Sequence, residues 1–477
     1  MAESIGEMII PGTYIEVRAE GLIGVGGIST GTIGIVGTAN RGPINQVVTL
    51  GSYADALNVF GNYDALPDDP GITAHLTLTR TLQQAFRGGA SDVLAVRVAN
   101  TGGVDPMRSM TWIVTDGTDT LFTLTATTPG SWANDIVAAI VAPAAPGDPV
   151  TLTLTQGANR ETFEGVDAAA LAREINDASN FVTASEVADA DAATVPTNVD
   201  AAAEPARGGP DGAGAMNTVL PQIADGLALL ADRTVNILLV AGYNADQIFG
   251  AVLGHLESTE TNGRERIAVM GTRGDTIADA TADANNVSNR RAVLVAPGIE
   301  ALDAASGARV DLPPAYAAAL VAGRLSTLAP HVSLTNKDVA ADGLTTEYNR
   351  TQQKQMLLNR IMVLHRNLGI RALRGITTDT GPFTQISVRR IVDYAKAGVR
   401  IGSNPYIGRL NNSRVRAALK ATLDGFLSQM VLDEMLVSYE LEVDATREQE
   451  RDGIAAVTMT LRPTFSIDFI RVTMNLE

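Results

Sequence analysis

The chain has no cysteine among its 477 residues, which excludes disulfides and thiolate-ligated metal sites. No apolar run approaches the roughly 18 residues that span a bilayer. The opening MAESIGEMIIPG carries two Glu and no basic flank, so it does not read as a secretory signal. Histidine is rare: residues 75, 255, 331 and 365 are scattered without ligand spacing. Gly27-Ile28-Ser29-Thr30-Gly31 fits G-x-S-x-G, but a nucleophile elbow needs a strand before the Ser and a helix after it, and here a strand is predicted to follow. Asp379-Thr380-Gly381 resembles the aspartic-protease triplet; that chemistry needs two carboxylates sharing a proton, and a second triplet is missing. No dinucleotide fingerprint and no Gly-Lys-Ser/Thr phosphate loop occurs. No catalytic residue, cofactor or metal is therefore expected.

What is present describes a folded protein of several domains, with 45% hydrophobic residues, 45 Gly and 20 Pro. The net charge of −17 argues against a general nucleic-acid binder. The charge is unevenly spread. Tyr348 to Leu423 hold 14 Lys and Arg against two acids, Asp379 and Asp393, a local balance of +12. Either these cations pair with acids from other segments, or they form a face for an acidic partner. The sharper form of the second reading concerns Arg409, Arg414, Arg416 and Lys420. Arg416 and Lys420 are four apart, on one stripe of a predicted helix.

The opening 45 residues read as extended, with Tyr14-Ile15-Glu16-Val17 alternating and a short strand at Thr32 to Gly37. Ile72 to Phe86 is predicted as a helix, and Val93 to Val98 as a strand. Thr101 to Gly214 is rich in Thr, Ala, Asp, Gly and Pro and reads as an inserted, mostly β domain. In it Asp116-Gly117 turns a hairpin, Val150, Leu152 and Leu154 mark a half-buried strand, and Ala184 to Gly214 reads as loop or linker. From Asn217 strands and helices alternate: helices at Val219 to Ala231, Asp246 to Leu256, Thr276 to Ser288 and Pro314 to Leu328, strands at Val235 to Ala241, Ile267 to Met270 and Ala292 to Ala296. Val388 to Val399 and Val415 to Met430 each place apolar residues on one helical face. Met435 to Val443 and Val457 to Leu461 alternate as strands. In the last strand Phe465, Ile467 and Phe469 point one way and Ile470, Val472 and Met474 the other. A period of two changes phase only at a bulge or at a change of partner.

The two ends carry a resemblance. Pro11-Gly12-Thr13-Tyr14, Ser29-Thr30 before a strand, Arg41-Gly42-Pro43 and Phe60-Gly61 follow the order seen at the start of contractile tail sheath proteins. Pro129-Gly130-Ser131-Trp132-Ala133-Asn134 is similar to the Pro-Gly-x-Trp-x-Asn element of that family's inserted domain. Asn359-Arg360-Ile361, Leu373 to Thr378 and Ile386 to Arg390 resemble its C-terminal elements. In many relatives the Gly of the middle element follows Trp and precedes Ala-Arg-Thr; here Gly375 lies between Arg374 and Ile376-Thr377. The resemblance implies an α/β (α+β) fold: a mixed-sheet core, an inserted mostly-β outer domain and extended terminal arms. The expected division is an arm at 1–20, core at 21–100, insert at 101–214, α/β core at 215–345, inner domain at 346–462 and an arm strand at 463–477. It also implies hexameric rings stacked helically around a tail tube protein, with baseplate and tail-terminator proteins as further partners. The particle would be a virion tail or an injection particle assembled in a bacterial cytoplasm, with no nucleic-acid partner and no membrane insertion. Tyr14, Ile15, Val17 and the alternating residues after Pro463 would cross to neighbouring subunits. The alternatives are another structural component of such a particle, or an α/β enzyme with an unrecognised site.

Overall fold

Apolar runs without alternation, such as Ile33–Gly37 and Ala292–Ala296, suit strands covered on both faces, and they build one eight-stranded sheet. The computed structural model describes residues 27–67, 75–99, 109–143, 145, 147–157, 159–201, 216–304 and 306–476. Tyr14, Ile15 and Val17 lie outside them. The described chain divides into two units. One holds Gly31–Thr327 and Asn336–Asp379; the other holds 27–30, Leu328–Thr335 and the residues from Thr380 onward.

The sheet unit opens with β1 (Ile33–Gly37), β2 (Val47–Leu50), α1 (Tyr53–Phe60), α2 (Leu78–Arg87) and β3 (Val93–Arg97). The insert follows as β4 (Thr111–Thr115), β5 (Thr120–Ala126), β6 (Val137–Val141), β7 (Val150–Gln156), β8 (Asn159–Gly165), α3 (Ala168–Ala178), β9 (Val182–Ala184) and β10 (Asn198–Ala201). The core then resumes with α4 (Met216–Ala231), β11 (Ile237–Val240), α5 (Ala245–Thr261), β12 (Ile267–Gly271), α6 (Ile277–Asn286) and β13 (Ala292–Ala296). It closes with β14 (Ile299–Leu302), β15 (Arg309–Leu312), α7 (Pro314–Ser326), β16 (Gly343–Leu344), α8 (Arg350–Leu358), β17 (Met362–Arg366) and β18 (Ile370–Ala372).

The strand order is β18-β17-β13-β12-β11-β1-β3-β2, parallel from β17 through β3, with antiparallel strands at both edges. Successive residues serve opposite faces. Val36, Leu238, Val240, Ala268 and Met270 join Ile223, Val252, Ala280 and Met356 in one core layer, whereas Gly271 on β12 faces α7. On that second side α2 and α7 cross so closely that a Cβ on Gly323 would sit 2.0 Å from the Ala85 carbonyl oxygen. Only glycine permits that approach.

The insert packs the four-stranded sheet β10-β4-β5-β9 and the three-stranded sheet β6-β7-β8 around Trp112, Phe122, Leu152, Phe163 and Leu171. The β4–β5 hairpin turns at Asp116-Gly117 and β7 alternates in burial, as the pattern predicts. Three expectations need correction. The helix predicted from Ile72 begins at Leu78, since Thr77 and Leu78 donate backbone N–H bonds to the Thr38 carbonyl and His75–Thr77 runs non-helically (72–74 lie outside the described residues). Part of the expected loop after Ala184 is strand, because Asn198–Ala201 pairs with β4. The helix α3 was not expected at all, although Asp167 caps it by accepting from the Ala170 N–H at 2.8 Å.

The second unit contains α9 (Ile386–Ser403), α10 (Ser413–Leu432), β19 (Leu436–Asp444), α11 (Arg447–Arg451) and β20 (Ala456–Pro463). Ile391, Ala395, Phe426, Leu427 and Met430 form its core, and Gly398 leaves room for the Phe426 ring. Buried Arg390 ties its separate segments together, donating to the carbonyls of Thr30, Leu328 and Ala329 at 2.9, 2.9 and 3.3 Å. Burial lowers its pKa to about 10.

Candidate assembly surfaces

Two strands alone make a marginal sheet, so the β19–β20 hairpin depends on α10. Tyr439, Leu441, Val443, Val457 and Leu461 turn toward the helix layer and pack with the two small cores there. The other face carries Glu440, Glu442, Thr458, Thr460 and Arg462, all exposed. Among the described residues each strand pairs only with the other, so β19 and β20 both offer a free edge, the kind of template that accepts an added strand.

After Pro463 lies the segment expected to join a neighbouring subunit as a strand. Residues 464–476 carry no regular structure, and among the described residues no strand pairs with them. The apolar residues are solvent-facing: Phe465 is 61% exposed, Ile467 79%, Phe469 80%, Ile470 83%, Val472 73% and Met474 85%. Ser466 and Asp468, between the first three of them, turn inward. Gln385 Nε2 donates to the Ser466 carbonyl at 3.2 Å and to Asp468 Oδ2 at 3.1 Å. Its Oε1 accepts from the Ser466 N–H and Oγ–H, both at 3.1 Å. Thr335 Oγ1 donates to Asp468 Oδ1 at 3.1 Å. Sequence reasoning passed over Thr335, Gln385 and Asp468. Its one available signal was Gln at the N-cap of α9, a place that favours Ser, Thr, Asp or Asn.

The basic segment divides. Arg416, expected in an unpaired stripe, is mostly buried and donates to Glu450 Oε1 at 3.0 Å and to Asn411 Oδ1 at 2.9 Å. The correction has a simple cause: α11 brings Glu450 beside α10 from 34 positions away. Arg389 pairs with Asp393 at 2.6 Å and Arg366 with Glu347 at 2.7 Å. Arg409, Arg414 and Lys420 are exposed and make no ion pair among the described residues. Arg409 lies over the Tyr406 ring at 5.2 Å, between exposed Ile407 and Leu410.

Two of the sequence motifs meet at the seam between insert and core. Fully buried Arg97 on β3 donates to the carbonyls of Gly42 (2.7 Å), Pro129 (3.1 Å) and Asn40 (3.3 Å). The Gly42 N–H donates to Thr128 Oγ1 at 3.1 Å, and Arg41 lies 5.4 Å from the centre of the Trp132 ring. Gly42 has φ +98°, and a Cβ there would meet Phe60. Arg-Gly-Pro and Pro-Gly-x-Trp are thus two halves of one joint.

The residues once considered for catalysis are dispersed. β1 follows Ser29, as expected. Asp379 lines a polar cavity of 260 Å³ with Glu257, Glu260, Asn289, Arg290 and Arg291, where hydrogen bonds from Arg291 hold the Glu260 carboxyl well below the usual range. His75 meets the Tyr316 hydroxyl at 3.2 Å. His255 Nε2 accepts from Arg266 Nη1 at 3.0 Å, and burial followed by that cation lowers its pKa to about 4. Among the described residues, no three His, Asp or Glu are grouped to hold a metal ion, and no helix is long and apolar enough to cross a membrane.

Free strand edges and an outward apolar tail define a subunit whose fold leaves surface for other chains. The family described as "Phage tail sheath protein central domain" matches residues 217–378, and "Phage tail sheath C-terminal domain" matches 378–477. The chain belongs to the phage tail sheath family. It is 26% identical over 236 residues, 47% of its length, to the tail sheath protein of Bacillus phage SP01. That stretch spans 41% of the Bacillus phage protein. It is also similar in fold to a sheath tail protein from Desulfitobacterium hafniense, with TM-score 0.66 and 18% identity over 95% of this chain and 100% of that one. The PVC sheath of an extracellular contractile injection system, in its contracted state, is similar at TM-score 0.57 and 13% identity, covering 100% of this chain and 99% of that one.

Proposed function

We propose that copies of this chain form hexameric rings that stack helically into a contractile sleeve around an inner tube, and that shortening of the sleeve drives the tube through a target envelope. The observation that carries this reading is the pairing of free hairpin edges with an exposed apolar arm. An arm from one copy, laid along the hairpin edge of the next, completes a sheet by main-chain hydrogen bonds, with alternate side chains setting register. The described arm is the C-terminal one; Tyr14, Ile15 and Val17 are proposed for the corresponding N-terminal role. The insert faces outward and the C-terminal unit faces the tube. Arg409, Arg414 and Lys420 contact that tube, and Arg416 is left out of the set because Glu450 neutralises it.

The tube, a baseplate and a terminator are the partners, in a virion tail or injection particle assembled in the host cytoplasm. Nucleic acid, membrane insertion and catalysis have no part in the reading. No fuel site is needed. Moving a two-state element from mostly off to mostly on takes roughly 5.5 kcal/mol, which six coupled copies supply at about 1 kcal/mol each.

The test is removal of the residues after Pro463. The shortened protein is expected to fold as a monomer and to make no sleeves by negative-stain microscopy. Long sleeves at normal yield would rule out the arm.

A further inference from the structure

The C-terminal arm is exposed, yet its first residues are held firmly. The Gln385 amide meets both the N–H and the C=O of Ser466, as a neighbouring strand would, and it also reaches Asp468. Asp468 receives a second bond from Thr335. These partners are distant in sequence, 81 to 133 positions apart, so the clasp is a tertiary feature rather than a local turn. Gln385 occupies the N-cap of α9 but makes no capping bond there. Its side chain is committed to the arm instead, and the Asp468 carboxylate lies near the positive end of an 18-residue helix.

Two facts show which way the clasp acts. An inhibitory latch would cover the apolar row, but clasping Ser466 and Asp468 turns Phe465, Ile467 and Phe469 outward. The clasp also ends where the apolar pattern changes phase. Asp468 is the last residue that Gln385 and Thr335 reach, and the second phase begins at Ile470, followed by Val472, Met474 and fully exposed Leu476. The phase change is therefore the boundary between a held segment and a free one.

We propose that Gln385, with Thr335, is a positioning device for the arm. It fixes Ser466–Asp468 on their own subunit, so that residues 470–476 leave in one direction as a ready strand for a second copy, and it stays closed after docking. The occupant is a second copy because the free hairpin edges in this same unit are the complementary template. Seven residues reach at most about 23 Å, so the direction of departure decides which edge is met. This inference rests on the sleeve reading above.

The absence of native cysteine makes the test clean. Gln385→Ala in the full chain is expected to raise the critical concentration for sleeve formation by about tenfold, the scale of ordering one short segment, with an unchanged thermal midpoint. A second protein carries Thr335→Cys with Asp468→Cys, bridged by a short thiol reagent that reductant removes. The bridged form, with its clasp closed covalently, is expected to assemble at least as readily as the unbridged form, which has lost the bonds to the Asp468 carboxylate. If Gln385→Ala assembles as readily as wild type or more readily, or if bridging blocks assembly until reductant is added, the proposal is overturned and the sleeve reading stands. If the wild type makes no sleeves, both are overturned.

Discussion

The sheet unit and the C-terminal unit treat apolar residues in opposite ways. Strands β1, β11, β12 and β13 are buried at every position, with helix layers on both faces and close contacts set by glycine. In the C-terminal unit the hairpin covers one face only, and the tail turns a row of Phe, Ile, Val and Met outward. The first arrangement is complete within one chain, so its energetics are those of a stable interior. The second leaves apolar side chains and strand edges uncovered among the described residues. Stability and assembly should accordingly respond to different substitutions.

The largest effect expected in the sheet unit is acid sensitivity. The folded His255 imidazole takes a proton only near pH 4, whereas an unfolded chain takes it near 6.5. The stabilisation is whole above pH 6.5 and is lost as pH falls toward 4, about 3 kcal/mol at 1.36 kcal/mol per unit. Urea midpoints measured between pH 7 and 4 should decline along that window, and His255→Gln, which still accepts from Arg266, should flatten the decline. A next, smaller effect sets the two units side by side. Gly323→Ala drives a methyl into the Ala85 carbonyl and should cost about 2 kcal/mol. Gly425→Ala, on α10 with open space around it, should add about 1 kcal/mol. Equal responses in the two urea midpoints would erase the comparison. Smallest for stability is Arg414→Glu with Lys420→Glu, expected within about 0.5 kcal/mol of wild type. Co-expressed with a tube protein, this variant should yield only tube-free, contracted sleeves; normal extended particles would remove the tube-facing role.

Much of the sheet unit was legible because a buried parallel strand carries its signal in its own residues. Val235 to Ala241 and Ala292 to Ala296 are strands by composition, and α10 is a helix by the spacing of Leu419, Leu423, Phe426 and Met430. The tail carries its signal differently. A strand is a property of a pair, and alternation from Phe465 onward marks a strand former without naming its partner; among the described residues no strand pairs with it. The helical spacing of Arg416 and Lys420 was right, but spacing is blind to Glu450 arriving from α11. Gln385 was passed over because its meaning depends on residues more than 80 positions away. α3 was passed over because Ala-rich sequence inside a linker-like composition hid a capped helix.

The Arg97 joint has a consequence for how the insert can vary. The acceptors at Gly42, Pro129 and Asn40 are main-chain oxygens, so these bonds recognise a backbone path rather than the side chains along it. The rest of the insert can change while this part of its mounting stays constant. A foreign module grafted onto this scaffold needs to reproduce the course of one short loop, from Thr128 to Trp132, rather than any surface chemistry. The molecule carries, in effect, a socket.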